Sequence, residues 1–531
     1  MPTGTKLGTY SPRGDRRIIY VSDPSSVAMR HLPDPTSEDD LRAWVNDLAD
    51  AGTDTFIQEA YTQGWTTYWS GDRFEYDARP QHSRFRQMID AGIQPLEVLL
   101  DQSHKRGMEF MAGLRVNDNH GAVSVEQGVG SGSSFLVGNT QWHLKEEYGS
   151  STRRLSTHLD FTFSEVRDYL FDVALEIVGQ FDVDGLELCF RDHAYFPKGT
   201  GQDRQPLMTE LVERVSKMLK EKGRDRGKKL ELGVRIHETI EECTDAGLDI
   251  QTWVSDGLVT YISPSQVMYT VPNALLDHFG DMVRLSDCMM YPGLLPWTSI
   301  RRRRRLADEP LTMDQYRAAA QNCYSAGADG LSFYNHMVNT QWAPFYPMML
   351  FEMDELRDPQ RVLQGRRHYL FEPVMAGSKL FGEGRAGTGA LKSDSLIISR
   401  KEPESSGVYR FRVCEDLSAA RRASLLFRAY HMTSKDCIEV RINGTQVPEA
   451  LIRSRNDERR IDMAAIVDKN SNETLGLSPV PELPGQWMTY WFRLNSPPAI
   501  YGDNELEVRL ISSDPDSQQD ILIDEIEVLV V

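Results

Sequence analysis

Short apolar runs alternate with amphipathic helical patterns eight times between the start of the chain and about residue 340. Apolar runs of this length predict buried strands, and strands that alternate with helices are typical of a parallel sheet. Eight such units predict a (β/α)8 or TIM barrel, whose active site lies at the C-terminal ends of the strands. The predicted strands are residues 17–23, 53–61, 108–118, 183–190, 230–237, 258–265, 283–292 and 328–336.

An open, doubly wound α/β sheet is the alternative arrangement of the same pattern. Such sheets usually carry a glycine-rich phosphate-binding loop directly after the first strand. No loop of that kind follows Asp23. The barrel is therefore the favoured prediction.

Beyond Arg366 the sequence changes to short alternating strands without long helical patterns. The dipeptide Asn443-Gly444 within this region predicts a tight β-hairpin. Regularly spaced strands of this kind predict an antiparallel β-sandwich similar to a jelly roll. We expect residues 1–365 to form the catalytic barrel and 366–531 an accessory sandwich. A structural role that covers one flank of the barrel is favoured over carbohydrate binding for the sandwich.

The formal net charge of −19 over 531 residues argues against binding to nucleic acids or anionic membranes, because both would be repelled. The six cysteines are scattered without a CxxC motif, as in reduced proteins. The N-terminus lacks the apolar segment of a signal peptide. The sequence as given predicts a soluble cytoplasmic protein, or a secreted or periplasmic one if a signal peptide was removed. It leaves the oligomeric state undetermined.

Polar and aromatic side chains gather at or just after the C-terminal ends of the predicted strands. Paired carboxylates supply the acid and the base or nucleophile of sugar hydrolysis, while aromatic rings stack on sugars and Arg, Asn and His hold hydroxyls. The pattern therefore predicts a carbohydrate substrate. The candidate substrate-binding residues are Glu59, Trp65, Arg115, Asn117, His120, Arg191, His193, Arg235, His237, Tyr291, Tyr334 and His336.

The fourth predicted strand, within DGLELCFRDHAYFP, carries an unusual inward-facing charge. Alternation along the strand places Glu187, Cys189 and Arg191 on one face. We expect Glu187 to act as the general acid/base, since burial inside the barrel can raise its pKa. Its candidate partners are Glu238 and Asp287, and then Asp192.

Four histidines near strand ends raise the alternative of a metal-dependent hydrolase. They are His120, His193, His237 and His336, and no HxH or HExxH motif accompanies them. We therefore expect neither a metal nor another cofactor.

The segment LDFTFSEVRDYLFDVALEIVGQFDVDGLELCFRDHAYFP resembles the family 10-like glycoside hydrolase-like proteins. The resemblance spans about residues 90–340 and implies a barrel hydrolase that acts on glycosides. Relatives commonly carry Asp where this chain has Cys189. The strand also departs from the DGxDxDxE pattern of family 18, so chitinase-type chemistry is not expected.

These observations together predict a glycosidase that cleaves a polysaccharide or oligosaccharide through carboxylate acid/base chemistry. An anionic sugar, such as a uronic acid or sulfated unit, is one candidate substrate because arginines Arg301–Arg305 follow the seventh strand. The same run also fits a solvated loop. Two further alternatives are a non-catalytic sugar-binding protein on a degenerate barrel and a polysaccharide lyase that uses His or Tyr as base.

Overall fold

The computed structural model describes most of the chain in sixteen segments. They are residues 12–23, 32–61, 76, 80–118, 132–144, 158–190, 194–265, 270, 272–296, 311–334, 336, 353–371, 396–402, 404–458, 486–494 and 499–531.

The N-terminal part is a barrel of parallel strands that pair in sequence order, with the last strand returning to the first. All eight predicted strands are confirmed, and the fold is the predicted (β/α)8 barrel. The strands are β1 (Ile18–Ser22), β2 (Thr55–Tyr61), β3 (Glu109–Arg115), β4 (Gly185–Cys189), β5 (Glu231–Ile236), β6 (Tyr261–Pro264), β7 (Met289–Met290), β8 (Gly293–Leu294) and β9 (Leu331–Tyr334).

The seventh barrel strand consists of two short pieces, which pair with opposite neighbours. β7 pairs with β6, while β8 pairs with β9. Between them, the Tyr291 amide donates to the carbonyl of Ile262 at 2.9 Å, and the Ser332 amide donates to the carbonyl of Pro292 at 2.9 Å. Pro292 has no amide hydrogen to offer, so the ladder is interrupted at this residue.

Helices surround the barrel and bury their apolar sides against the outer face of the sheet. The first begins with the predicted capping arrangement, in which Ser37 and Asp40 each bond the other's backbone amide. No helix among the described residues is both long and apolar enough to cross a membrane. The helices are α1 (Glu38–Asp50), α2 (Arg86–Asp90), α3 (Pro95–Lys105), α4 (Ser134–Gly138), α5 (Ser164–Gln180), α6 (Gly201–Arg226), α7 (Ile240–Asp245), α8 (Ile250–Ser255), α9 (Asp277–Arg284), α10 (Met313–Ser325) and α11 (Pro359–Gln364).

A charged and aromatic cluster lies at the N-terminal end of the barrel. Arg16 bonds Glu109 and Glu231, each at 2.6 Å. Its guanidinium lies 5.6 Å from the ring centroids of both Tyr261 and Tyr291. These contacts tie together the N-terminal ends of β3 and β5.

The C-terminal part is an antiparallel β-sandwich, as predicted. One sheet has the order β10-β19-β13-β17-β16 with β11 beside β19, and the other has the order β12-β18-β14-β15. The predicted hairpin joins β14 to β15, with positive φ angles at Asn443 and Gly444. The strands are β10 (Arg367–Phe371), β11 (Leu396–Ile398), β12 (Ser406–Val413), β13 (Ala423–Tyr430), β14 (Cys437–Ile442), β15 (Thr445–Gln446), β16 (Arg453–Glu458), β17 (Gln486–Arg493), β18 (Gly502–Ser512) and β19 (Ile521–Val530).

Side-chain amides of the barrel hold the backbone at the end of β12. Asn322 on α10 donates to the carbonyl of Arg412 at 3.2 Å and accepts from the amide of Cys414 at 3.0 Å. Gln321 donates to the carbonyl of Cys414 at 2.8 Å, and Asn273 accepts from the amide of Arg412 at 2.9 Å. Directional hydrogen bonds therefore join the barrel to the sandwich.

Candidate active site

Three carboxylates surround one arginine at the C-terminal end of the barrel. Arg115, the last residue of β3, bonds Glu59 of β2 through Nε at 2.8 Å. Its Nη2 bonds Asp23, directly after β1, at 2.8 Å, and its Nη1 bonds Asp118 at 2.6 Å. All four side chains are buried. The cluster therefore joins the ends of the first three strands.

Tyr334, the last residue of β9, completes this cluster. Its hydroxyl donates to Glu59 Oε1 at 2.9 Å and accepts a hydrogen bond from Arg115 Nη2. Glu59 is thus bonded at both oxygens, since Arg115 holds Oε2. Gly113 on the neighbouring strand leaves space for the side chain of Glu59, because a Cβ at this position would lie 3.0 Å from Glu59 Cγ.

The electrostatics of the cluster favour charged groups. Burial opposes the charge of Arg115, but the adjacent Asp23, Glu59 and Asp118 outweigh it and raise the pKa of this arginine well above its usual value. Three carboxylates face a single guanidinium. This excess of negative charge can stabilise a positive charge that develops on a sugar in a glycosyl-transfer transition state.

Glu187 lies beneath this cluster in a separate ion pair. Its Oε1 accepts from Arg235 Nε at 3.0 Å, and its Oε2 accepts from the hydroxyl of Tyr261 at 3.0 Å. Arg235 also donates from Nη2 to the Ser332 hydroxyl at 2.6 Å. Glu187 is only 1% exposed.

The stagger of the strands shows how far below the mouth Glu187 lies. A row of paired residues across neighbouring strands includes Val21, near the end of β1, and Glu231, at the start of β5. Such rows therefore descend towards the N-terminal end of the barrel from each strand to the next. Glu59 and Glu187 occupy one such row on either side of β3. Cys189, two residues further along β4, therefore shares the level of Glu59, and Glu187 lies deeper. The catalytic role of Glu187 stays a prediction.

Two residues expected to bind substrate have other contacts. Asn117 donates to the carbonyls of Leu159 and Ala194 at 2.9 and 2.5 Å and accepts from the amide of Leu159, so it ties loops together. The ring of Tyr291 lies against Arg16 near the N-terminal end of the barrel, so it faces away from the mouth. The substrate-binding roles predicted for Asn117 and Tyr291 stay predictions.

Asp287 and His336 are two further predicted residues whose surroundings differ from the prediction. Asp287 is exposed and precedes β7, because α9 extends to Arg284 where we predicted the strand to begin. It therefore lies at the N-terminal end of its strand. His336 contacts Phe333 and bonds the hydroxyl of Tyr316 on α10 at 2.8 Å, so its ring is directed to the helix layer. The predicted position of Asp287 at the mouth was therefore wrong, and the substrate-binding role of His336 stays a prediction.

His237 and Glu238 follow β5 at the C-terminal end and are buried. Their predicted roles remain predictions. Five other candidates, and the arginines 301–305, lie outside the described residues. These five are Trp65, His120, Arg191, Asp192 and His193.

Asp23 and Asp118 were not among the catalytic or substrate-binding residues predicted from the sequence. Asp23 directly follows β1 and Asp118 lies three residues beyond the end of β3, so both lie at C-terminal strand ends, the signal that identified Glu59 and Arg115. The sequence offers no sign that either side chain turns towards Arg115.

Solved structures of carbohydrate-active enzymes show weak likeness to the chain. A cycloisomaltooligosaccharide glucanotransferase from Paenibacillus sp. is 10% identical with a TM-score of 0.34, over 96% of this chain and 57% of that one. The α-L-fucosidase isoenzyme 2 of Paenibacillus thiaminolyticus is 12% identical with a TM-score of 0.41, over 67% and 51%. The PgaB (BpsB) glycoside hydrolase domain of Bordetella bronchiseptica is 11% identical with a TM-score of 0.42, over 65% and 98%.

The chain thus spans little more than half the length of the first two of these structures. No curated protein matches it. Residues 17–217, from the first strand into α6, match the family model described as glycosyl hydrolase-like 10, which confirms over this region the resemblance predicted from the sequence.

Proposed function

We propose that the barrel is the catalytic domain of a glycoside hydrolase and that Glu59 is its charged carboxylate. The observation that carries this proposal is the convergence of Asp23, Glu59 and Asp118 on Arg115 at the C-terminal end of the barrel. Active sites of TIM-barrel enzymes lie at this end. The proposed reaction centre thus lies at the level above Glu187.

The contacts of Glu59 suit a carboxylate that reacts in its ionised form. Tyr334 and Arg115 each donate to one of its oxygens, which favours the charged state. Glu59 would act as nucleophile in a retaining mechanism or as base towards water in an inverting one. The proton for the leaving group would come from Glu238, buried after β5 on another side of the mouth, or from Asp23.

The charge of the cluster also bears on the substrate. The guanidinium of Arg115 is already bonded to three carboxylates, so it has no free charge for a sulfate or uronate group. We therefore propose a neutral sugar at the reaction centre. Recognition of an anionic group elsewhere on the substrate by Arg301–Arg305 stays a prediction.

The first experiment is a screen of neutral and anionic polysaccharides and of aryl glycosides, followed by Glu59→Gln on any substrate cleaved. We expect kcat to fall by about a thousand-fold or more, because the charged carboxylate is lost. The matched control is Glu415→Gln, which alters a carboxylate buried in the sandwich. Near-normal turnover by a folded Glu59→Gln protein would exclude this role.

Two variants identify the acid. Loss of a general acid slows substrates with poor leaving groups and spares activated aryl glycosides, whereas loss of the nucleophile slows both. Comparing Glu238→Gln with Asp23→Asn on the two substrate types therefore assigns the proton donor. The anomeric configuration of the first product, read by NMR, distinguishes retention from inversion.

A sugar-binding protein without catalysis is the second candidate function. It is favoured by Cys189, which lies at the level of Glu59 where the family resemblance implies an aspartate. Calorimetric binding of an oligosaccharide that the protein does not cleave would support this candidate. An unsaturated product that absorbs near the ultraviolet edge would instead indicate a lyase, which abstracts a proton with His or Tyr as base.

A further inference from the structure

The buried ion pair of Glu187 and Arg235 is linked to the proposed reaction centre through Tyr334. The guanidinium carbon of Arg235 lies 5.3 Å from the centroid of the Tyr334 ring. That of Arg115 lies 5.9 Å from the same centroid. The ring is thus in contact range of two arginines while its hydroxyl donates to Glu59.

Arg235 also holds the strand that carries this ring. Its Nη2 donates to the hydroxyl of Ser332, two residues before Tyr334 on β9, at 2.6 Å. Glu187 and Tyr261 fix Arg235 from below, since Glu187 accepts from both of them at 3.0 Å. Arg235 is fully buried, so its orientation depends on these partners.

We propose that Glu187 and Arg235 are positioning residues that act through Tyr334 on Glu59. This inference rests on the proposed function, because it assigns them a role in the charge and orientation of the proposed reacting carboxylate. Glu187 balances the charge of Arg235 and keeps it directed at the underside of Tyr334. Without Glu187, the guanidinium would keep an unbalanced positive charge near Glu59.

The two members of the pair have opposite electrostatic effects on Glu59. Removing the charge of Glu187 leaves Arg235 unbalanced, which favours ionised Glu59 and lowers its pKa. Removing Arg235 leaves the charge of Glu187 unbalanced, which raises that pKa. A merely structural role would give no such opposite pair of shifts. Among the residues that the structure describes, the charged or titratable groups in this cluster with Glu59 are Asp23, Arg115, Asp118 and Tyr334, and Cys189 lies at the same level.

The kinetic test compares Glu187→Gln and Arg235→Gln on a substrate that the wild-type protein cleaves. We expect kcat to fall by about 10- to 100-fold in both, with KM changed by less than about threefold, because a misplaced catalytic group slows the reaction without loss of binding. The acidic limb of the pH profile should move by about one pH unit, downward in Glu187→Gln and upward in Arg235→Gln.

The matched control is Glu415→Gln, which removes a carboxylate bonded to an arginine and a tyrosine in the sandwich. We expect it to leave the pH profile unchanged. Equal shifts of the limb in the same direction for both barrel variants, or no shift in either, would overturn the inference. If one of them fails to fold, Tyr261→Phe removes only the hydroxyl that donates to Glu187, and it should give a smaller shift in the direction of Arg235→Gln, because the charge of Glu187 is then less well balanced.

A crystallographic arm separates failure of this inference from failure of the proposed function. In Arg235→Gln we expect the Tyr334 hydroxyl to leave Glu59 Oε1, from 2.9 Å to beyond hydrogen-bonding distance, because Ser332 and the Tyr334 ring lose the guanidinium beside them. An unchanged contact would overturn the positioning role whether or not the protein turns over any sugar. If the contact is lost in the variant and the wild-type protein turns over no sugar, the result would support the positioning role and count against the proposed hydrolase function.

Discussion

The same three groups form a buried network in the barrel and another in the sandwich. In the barrel, Glu187 accepts from Arg235 and from the hydroxyl of Tyr261, each at 3.0 Å. In the sandwich, Glu415 accepts from Arg367 at 2.6 Å and from the hydroxyl of Tyr369 at 2.7 Å. In both tyrosines, burial and the adjacent carboxylate raise the pKa well above its usual value, so each hydroxyl keeps its proton and donates.

The two networks differ in what their arginines contact next. Arg367 donates to the carbonyls of Leu363 and Gly365, so it fixes the connection between α11 and β10. Arg235 instead contacts Ser332 and the ring of Tyr334, which bonds Glu59. The chemistry of a buried ion pair therefore does not define its role. The role follows from the groups beyond the arginine.

The largest expected effect is the loss of either arginine. Arg235→Leu and Arg367→Leu each leave a buried carboxylate without its partner, which should lower the free energy of unfolding by about 3–5 kcal/mol. Urea denaturation measures both. Replacing the glutamate by leucine in the same protein should recover much of this loss, because the uncompensated charge is then gone. If either arginine variant alone were as stable as the wild-type protein, the carboxylate beside that arginine would not depend on it.

A smaller effect should follow from removing one hydroxyl. Tyr261→Phe and Tyr369→Phe each delete a hydrogen bond to a charged carboxylate, and we expect a loss of about 2 kcal/mol in both. Urea denaturation again gives the value. Only Tyr261→Phe should also alter the Tyr334 to Glu59 contact in a crystal structure. Equal effects on that contact would remove the distinction between the two networks.

The smallest expected effect is a difference between the two regions in the pH range over which they lose stability. Burial lowers the pKa of His336 beside the barrel to about 3, whereas the unfolded chain takes up this proton near its ordinary pKa of 6.5. Its contribution to stability is therefore complete above about pH 6.5 and is lost as the pH falls towards 3. Between pH 6 and 5 we expect a loss of about 1 kcal/mol in urea titrations, which His336→Gln should abolish.

In the sandwich the corresponding loss should begin at lower pH. Burial opposes the charge of Glu527, but His368 and Arg428 outweigh it and lower the pKa of this carboxyl well below its usual value. Its contribution is complete above about pH 4.5 and is lost as the pH falls further. Glu527→Gln should therefore leave the stability difference between pH 6 and 5 unchanged. A change as large as that from His336→Gln would contradict this assignment.

The strand order of the barrel was predictable because buried parallel strands are continuous apolar runs, and all eight are present. The position of Glu187 on the inner face was also predictable from alternation along β4. Its depth was not, because the stagger of the strands that places Cys189 at the level of Glu59 depends on pairings between distant segments.

The contacts of individual side chains at the strand ends were the least predictable feature. Asn117 and Arg115 are two residues apart, yet one bonds loop carbonyls and the other binds three carboxylates. Asp287 was misplaced because helix α9 extends into a segment whose apolar residues also fit a strand. Such outcomes depend on how neighbouring loops pack, which periodicity does not report.

The split seventh strand is the place at which we expect the barrel to open most easily. β7 and β8 contribute two residues each to the ladders with their neighbours, where β2 and β3 pair over six positions. Few hydrogen bonds must break for these short ladders to separate, so amide protons on either side of Pro292 should exchange with solvent by local opening well before those of β2 and β3. The barrel is therefore closer to a curved sheet whose two edges are joined by few hydrogen bonds than to a ring of equally strong ladders.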